Sequence, residues 1–206
     1  VVRDAGNGLH IHMSLMKDGH YLFSPAELNE EAKGFVGGLL NHAKALSAIC
    51  CPTINSYKRL VPGYEAPVYI SWGGENRSVL VRIPAYGNKE EAKGRVEFRA
   101  GDASANIYLM LNSLIRAGMD GIEKRSDPGL EVRENLYELR EKEIADKGIE
   151  ILPNNLNEAI QELEKDEVMI DSLGESYKHY VRLKREEILE FSREVTEWEI
   201  DKYLEY

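Results

Sequence analysis

A run of strict alternation near the start of the chain constrains the fold more than any other feature. The stretch GLHIHMSL places apolar and polar residues on opposite parities: Leu9, Ile11, Met13 and Leu15 against His10, His12 and Ser14. Successive side chains of a β-strand point to opposite faces of the sheet, so the pattern predicts a strand whose polar face carries two imidazoles and a hydroxyl. Two glycines, Gly6 and Gly8, precede this strand and predict a turn that leads into it.

Further short strands are predicted on both sides of a first helical stretch. An Asp-Gly pair within residues 17–20 predicts a hairpin turn. Three more strands are predicted at residues 68–72, 78–83 and 95–100. Strands come first and helices later, without β-α-β alternation. This order favours an α+β fold over a parallel doubly wound sheet.

Two long helices are predicted from their caps and their apolar periodicity. Asn29 is expected to cap a helix that runs to about Cys50 and ends before Pro52. Ser104 is expected to cap a second helix, which closes at residues 127–129. The inward stripe of the second helix is predicted to consist of Ile107, Leu111, Leu114, Ile115, Gly118 and Ile122.

Composition and charge exclude several classes of function. The 206 residues are 43% hydrophobic and 30% charged, which suits one sizeable core. No apolar run approaches the roughly 20 residues that span a membrane, and a net charge of −10 disfavours nucleic-acid binding. The acidic excess lies beyond Arg125, so arginines in the first part remain available for a small anionic ligand. Two adjacent cysteines, Cys50 and Cys51, and a start without a signal-peptide pattern predict a cytoplasmic protein.

A second alternating stretch, RVEFRAGD, places a carboxylate between two arginines. Arg95, Glu97 and Arg99 share one face of the predicted strand. Neighbouring positive charge keeps a carboxylate ionised, which makes it a poor general base but a good ligand for a hard cation. A surface ladder of ion pairs is the alternative interpretation. For His10 and His12 the alternative is that they are ordinary strand residues, since no Cys/His pair elsewhere completes a zinc site.

Charged residues recur along the first half of the chain, at predicted strand edges and in loops rich in proline and glycine. They are Lys58, Arg59, Glu65, Arg77, Arg82, Glu97 and Arg99. Several arginines, a histidine and a carboxylate suit phosphoryl transfer, which depends on positioning and on charge neutralisation with a divalent metal. No Gly-x-x-x-x-Gly-Lys-Ser/Thr loop is present in the sequence, so an ATP site here would not be of the P-loop kind.

Four segments together resemble the catalytic core of the glutamine synthetase family: GLHIHMSL, NSYKRLVPGYEAPV, ENRSVLVRIP and RVEFRAGDASANIYL. They follow the family's order, and the resemblance extends over essentially the whole chain, residues 1–206. It implies a curved antiparallel sheet with flanking helices, strand-rich over 1–103 and helix-rich over 104–206. It also implies an ATP-dependent ligase that joins glutamate and ammonia through a γ-glutamyl phosphate, uses Mg²⁺ or Mn²⁺, and forms a ring-shaped homo-oligomer.

The resemblance also implies roles for individual residues. By motif match, His10 and Glu97 would ligate a metal ion. The nucleotide would be bound by His12, Ser14, Arg77 and Arg82. The glutamate-binding residues would be Gly6, Arg59, Glu65, Arg77 and Arg99. The catalytic residues would be Glu65, which takes a proton from ammonium, and Arg77, which stabilises the transferring phosphoryl group with Arg82.

Three departures from the family pattern leave the substrate open. Ala5 stands where the family has an asparagine that helps to bind glutamate, and Asn7 follows two positions later. Gly101 stands where the family usually has proline, and we expect it to loosen the turn after the second alternating strand. The segment between Arg82 and Arg95 is slightly longer than in some members of the family, so the resemblance does not decide between Lys89 and Lys93 as the ATP-contacting lysine. A ligase that uses an amine in place of ammonia, and a non-catalytic family member, therefore stay as alternatives.

The family also places an N-terminal domain and glutamate-bearing strands before the part seen here, and this chain lacks an initiator Met. We therefore expect it to be a piece of a longer enzyme and to be inactive alone, because lost positioning costs orders of magnitude in rate. Tyr137 resembles a tyrosine that is adenylylated in some bacterial members. A partly buried structural tyrosine is the favoured interpretation.

Overall fold

A four-stranded sheet, a two-stranded sheet, nine α-helices and one 3-10 helix make up the regular structure of the described residues. The computed structural model describes residues 7–23, 28–63, 66–84 and 94–204. The strands are β1 (Ile11–Met13), β2 (Met16–Lys17), β3 (His20–Tyr21), β4 (Tyr69–Gly73), β5 (Val79–Arg82) and β6 (Val96–Phe98). The helices are α1 (Glu30–Asn41), α2 (Ala43–Cys50), α3 (Ser56–Arg59), α4 (Ile107–Glu123), α5 (Glu141–Asp146), α6 (Leu156–Leu163), α7 (Glu167–Leu173), α8 (Ser176–Phe191) and α9 (Glu197–Tyr203), with a 3-10 helix at Leu136–Glu138.

The main sheet has the order β1-β6-β5-β4 and is mixed. The β1–β6 and β6–β5 pairs are antiparallel, whereas β4 and β5 are parallel. Asn76 holds the short segment that returns the chain between the two parallel strands: its amide donates to the carbonyls of Val132 and Glu134, and its Oδ1 accepts from Ser78. The α+β class is confirmed, and the antiparallel pattern predicted for the sheet holds except at this edge.

The two faces of the sheet differ in character. Cross-strand neighbours Ile11, Phe98 and Val81 lie in register on one face, where Phe98 and Val81 are fully buried. Helix α1 packs against β4 and β5, and α4 packs against α1. The opposite face carries the polar residues of β1 and β6. Among the described elements, the helices thus pack on the apolar face of the sheet, and the polar side chains lie on the other face.

The first predicted helix is two helices in the structure. Asn29 caps α1 as predicted, since its side chain accepts from the amide of Ala32. The helical path breaks at His42, which ends α1 and precedes α2. The ring of His42 lies between Asp120 and Asp166, both distant in sequence, so local periodicity contains no signal for this break.

The predicted cap and inward face of α4 were partly wrong. Asn106, not Ser104, caps the helix and accepts from the amides of Tyr108 and Leu109. Ile107 and Ile115 are 40% and 49% exposed. The buried face consists instead of Met110, Ser113, Leu114, Ala117, Gly118 and Gly121.

Close helix packing explains this choice of face. A Cβ at Gly121 would lie 2.1 Å from the carbonyl oxygen of Gly34, and one at Gly38 would lie 2.1 Å from that of Ala117. The helices α1 and α4 therefore approach through small residues, and Ile107 and Ile115 of α4 are turned outwards. No helix within the described ranges is long and apolar enough to cross a membrane.

Candidate active site

A row of polar side chains crosses three strands on the open face of the sheet. His12 of β1 lies opposite Glu97 of β6, and Glu97 lies opposite Arg82 of β5. Side chains directly opposite in adjacent strands share a face, so the imidazole, the carboxylate and the guanidinium form one row. The alternation read from the sequence is confirmed here: His10, His12 and Ser14 are exposed, whereas Leu9, Ile11, Met13 and Leu15 are only partly exposed.

Glu97 is the centre of this face. His10 Nδ1 lies 3.0 Å from its Oε1, and Arg99 Nη1 donates to the same oxygen at 2.8 Å. Arg82 Nη1 donates to Oε2 at 3.3 Å. The carboxylate is 3% exposed, so each of these interactions acts with little screening by water.

Burial raises the pKa of the Glu97 carboxyl, but stronger effects oppose it. The hydrogen bond with His10 and the positive charges of Arg99 and Arg82 lower the pKa to about 2. The carboxylate is therefore ionised throughout the physiological range. The expectation that flanking arginines keep Glu97 charged holds for Arg99, but the second arginine that lowers its pKa is Arg82 of the neighbouring strand rather than the flanking Arg95.

Arginine side chains fix the loops beside Glu97. Arg99 Nη2 donates to the carbonyl of Arg77 at 3.0 Å, and Arg82 Nε donates to the carbonyl of Gly74 at 3.3 Å. The backbone of Arg77 thus lies within reach of the cluster, while its own side chain is exposed. The exposed guanidinium of Arg77 lies at the edge of the site, is not bonded to the Glu97 carboxylate, and can bind an incoming anion.

Arg59 lies in a separate, buried position at the end of α3. Its Nη2 donates to the carbonyls of Ala100 and Gly101 at 2.7 and 3.0 Å. A Cβ at Gly8 would be 3.3 Å from Nη1 of this arginine, so glycine lets the strand entry pass directly over the guanidinium. Arg59 therefore joins the segment before β1 to the segment after β6.

The looser turn predicted at Gly101 was wrong. A Cβ at Gly101 would lie 2.6 Å from the carbonyl oxygen of Leu9, and the amide of Leu9 donates to the carbonyl of Gly101 at 2.8 Å. The missing side chain allows the two backbones to approach, so the turn is held closely.

His12 and Ser14 lie further along β1. Burial lowers the pKa of His12, and the charges of Arg95, His10 and Arg82 add to this effect, while Glu97 opposes it. The imidazole is therefore neutral at physiological pH, with one nitrogen able to donate and the other to accept. The hydroxyl of Ser14 donates to the carbonyl of Gly94 at 3.0 Å, next to the start of β6.

Arg95 is a candidate site residue that the motif match left out. It precedes β6 with the same parity as Glu97, and its charge acts on His12. The alternation of RVEFRAGD, which places Arg95 on the same face as Glu97, is the sequence signal that could have identified this residue.

Several predicted residues lie outside the described ranges: Ala5, Gly6, Glu65, Lys89 and Lys93. Tyr137 is half-buried in the 3-10 helix and packs against the core, as its structural interpretation expected.

The chemistry of His10 and Glu97 fits one divalent cation. The ionised carboxylate of Glu97 and the imidazole of His10 contact each other at 3.0 Å, so a cation bound by both would replace this contact. The carboxylate oxygen suits Mg²⁺ or Mn²⁺, whereas an imidazole nitrogen is more typical of transition-metal sites. Within the described parts of the chain, no group of three or more His, Cys, Asp or Glu residues is arranged to hold a metal. These two side chains would thus be part of a coordination shell that further ligands complete.

A sheet face that gathers imidazoles, an ionised carboxylate and several arginines has the donor set of an enzyme that handles anionic substrates with a metal ion. Comparison with known proteins narrows this class. The family model described as "Glutamine synthetase, catalytic domain" matches residues 1–203. The chain belongs to the glutamine synthetase family.

Individual relatives agree with this assignment. Glutamine synthetase of Pyrococcus horikoshii is 50% identical over 212 residues, which cover 96% of this chain and 47% of the relative. Glutamate–methylamine ligase of Methyloversatilis universalis is 44% identical, covering 98% of this chain and 46% of the relative. A solved GmaS/ADP complex superposes with a TM-score of 0.83 at 38% identity, covering 98% of this chain and 46% of that one. The chain thus spans slightly under half the length of the relatives it matches.

Proposed function

We propose that this chain is the catalytic part, residues 1–206, of an ATP-dependent glutamate–ammonia ligase. The observation that carries the proposal is the single ionised carboxylate of Glu97, held by His10, Arg82 and Arg99 on the open face of the sheet. Positive charge exceeds negative charge in this cluster, so it can receive the phosphates of a nucleotide and the carboxylates of an amino acid.

The proposed reaction has two steps. The side-chain carboxylate of glutamate attacks the terminal phosphorus of ATP, the bond to ADP breaks, and an acyl phosphate forms. Ammonia then attacks the acyl carbon and inorganic phosphate leaves, which gives the amide. The proton released from ammonium on this path is assigned to Glu65. A bound Mg²⁺ or Mn²⁺ ion would neutralise phosphate charge during the first step.

Each site residue of this chain is assigned a role according to its position. His10 and Glu97 would hold the metal ion. Neutral His12, Ser14, Arg82 and Arg95 line the sheet face where the nucleotide phosphates would bind. Arg59, Arg99 and Gly6 are assigned to glutamate. Exposed Arg77 is assigned to the transferring phosphoryl group, whose charge it would stabilise together with Arg82.

The longer enzyme is proposed to be a cytoplasmic ring of identical subunits. This chain alone is proposed to be inactive, because it spans slightly under half the length of its relatives, and no group of three or more metal-ligand side chains is found among its described residues. An amine ligase is the second candidate, and the 44% identity to a glutamate–methylamine ligase favours keeping it.

Calorimetric titration with a non-hydrolysable ATP analogue tests the proposal on the chain itself. We expect binding that requires Mg²⁺ or Mn²⁺ and is lost in a His10→Ala, Glu97→Gln double variant. His20→Ala is the matched control, because this histidine is exposed on β3, away from the cluster. Equal, metal-independent binding by the chain and the double variant would overturn the assignment of His10 and Glu97.

Activity of the longer enzyme tests the substrate. Mass spectrometry of the products formed from glutamate, ATP and either ammonia or methylamine would separate glutamine from N-methylglutamine. If neither ammonia nor methylamine leads to ADP release, both ligase proposals are contradicted. The absence of any turnover would favour the non-catalytic alternative.

A further inference from the structure

Asp102 is a buried carboxylate that lies just after β6, outside the Glu97 cluster. It is 2% exposed, and its Oδ1 accepts three hydrogen bonds. The donors are Asn7 Nδ2 at 2.7 Å, the amide of Ser104 at 2.8 Å and the hydroxyl of Ser104 at 2.7 Å. The amide of Asp102 in turn donates to the carbonyl of Cys50 at the end of α2. This one residue therefore ties together the segment before β1, the end of α2 and the segment that leads into α4.

The backbone conformation of Asn7 places its side-chain amide within reach of Asp102. Its φ of +81° lies in the left-handed region, which asparagine tolerates better than most residues. From this backbone position its amide reaches Asp102, and the next residue, Gly8, forms an isolated β-bridge with Asp102. The contact between Asn7 and Asp102 thus adds a side-chain link to the backbone contacts that hold the strand entry at residues 7–9.

Arg59 lies directly beneath this strand entry. The carbonyls of Ala100 and Gly101 hold Nη2 from one side, and Gly8 lies against Nη1 from the other. Arg59 is 7% exposed, and its Nε has no hydrogen-bond partner among the described residues. Since residues 100–102 and 7–9 form the walls around it, the orientation of the guanidinium depends on how firmly these walls are joined.

We propose that Asn7 and Asp102 are positioning residues that clamp the strand entry over Arg59 and so set the orientation of its guanidinium for a carboxylate of the amino-acid substrate. The substrate side of this inference rests on the proposed function. The clamp itself rests on the geometry of the chain. Neither residue touches the substrate, and each acts through Arg59.

Asn7→Gly is the variant that isolates the clamp. Glycine adopts a positive φ without strain, so the variant removes the amide contact with Asp102 and leaves the backbone conformation accessible. Asp18→Gly is the matched control, because Asp18 also has a positive φ of 50° but lies in the exposed β2–β3 turn.

In the longer enzyme, we expect Asn7→Gly to raise KM for glutamate by about tenfold, the factor that corresponds to losing about 1.4 kcal/mol of binding. The value of KM for ATP and kcat should stay within about twofold of the parent, since the contact that is removed supports Arg59, which is assigned to glutamate and not to the nucleotide. Asp18→Gly should change none of the three. An Asn7→Gly variant with unchanged KM for glutamate, or with kcat and both KM values altered alike, would overturn the proposal.

A spectroscopic measurement on the chain itself separates the clamp from the reaction. The Nε–H signal of Arg59, assigned with an Arg59→Lys variant, should exchange with solvent slowly in the parent and at least about tenfold faster in Asn7→Gly. Unchanged exchange would overturn the clamp. If the longer parent enzyme neither binds nor converts glutamate, the proposed function fails, while the Nε–H exchange still decides whether the clamp exists.

Discussion

Two clusters in the described part of the chain each pair a histidine with carboxylate groups, but their charge balance differs. In the Glu97 cluster on the sheet, one carboxylate faces His10, Arg82 and Arg99. In the His42 cluster between the helices, one imidazole faces two carboxylates. His42 Nδ1 lies 2.6 Å from Asp166, and Nε2 lies 3.1 Å from Asp120.

The difference in charge balance predicts different roles for the two clusters. The Glu97 cluster has positive charge in excess, and His10 is partly exposed beside it, which favours the entry of an anion. The His42 cluster is closed: its imidazole is 8% exposed, and Lys124 also pairs with Asp120. It joins the break between α1 and α2 to α4 and α7. A cluster with surplus charge at an open face is suited to binding, whereas a closed and balanced one is suited to holding elements together.

Removal of the central carboxylate should have the largest effect. Glu97→Ala leaves two arginines and a histidine without their shared partner, and breaking a buried pair costs about 3–5 kcal/mol. Urea denaturation should show this loss in the free energy of unfolding. Glu97→Gln keeps the shape and some hydrogen bonds, so its loss should be smaller. Equal stability of Glu97→Ala and the parent would show that the cluster contributes nothing to the fold.

Removal of the imidazole from the closed cluster should have the next largest effect. His42→Ala leaves Asp120 and Asp166 facing each other without their common donor, at a cost of about 1.5–3 kcal/mol. The same denaturation experiment measures it, with exposed His20→Ala as the control. Binding of the metal–nucleotide analogue should be unchanged at ligand concentrations that saturate the folded chain. Weaker binding would contradict the separation of the two clusters.

The stabilising effect of His42 should depend on pH with a definite sign. Burial lowers the pKa of His42, but the hydrogen bonds and charges of Asp166 and Asp120 outweigh it and raise the pKa above the usual 6.5. A raised folded-state pKa means that the protonated ring stabilises the fold fully below the unfolded-state pKa. This stabilisation is lost as the pH rises through the raised value.

Thermal unfolding of the parent and of His42→Gln between about pH 5 and pH 9 measures this effect. The stability difference between them should be greatest at the acidic end and should shrink as the pH rises. Lys124 pairs with Asp120 and stays charged over this range, so it should not alter the trend. A difference that grows with pH would show that the neutral ring is the stabilising form.

Arg82→Gln should have the smallest effect on stability. Its side chain is 22% exposed and its contact with Glu97 is 3.3 Å long, so we expect a loss below about 1 kcal/mol. Binding of the ATP analogue should weaken more clearly, by about tenfold, because a charge that is proposed to bind the phosphates is removed. A stability loss as large as that of Glu97→Ala would place Arg82 among the structural residues of the cluster.

Strand faces could be read from the sequence, and so could the inward stripe of the first helical stretch, whose predicted residues Phe35, Leu39, Ala43, Leu46 and Cys50 are all fully buried. The inward face of α4 could be read only in part. The alternation around His12 and around Glu97 specified which side chains share a face, because a one-residue shift in a strand exchanges its two faces. In α4, Ile115 is exposed and Gly121 is buried. The close approach of α1 to α4 decides which face of α4 is buried. The apolar periodicity of one helix carries no information about that approach.

The sequence by itself determined the α+β class, the cap at Asn29, and the polar face that carries His10, His12 and Glu97. These depend on side-chain periodicity and on local hydrogen bonds, which act within a few residues. Only the tertiary structure decided that Asn7 meets Asp102 across 95 residues and that His42 meets Asp166 across 124. Such pairs form because packed layers bring distant segments together, and the buried polar groups must then find partners where the fold has placed them.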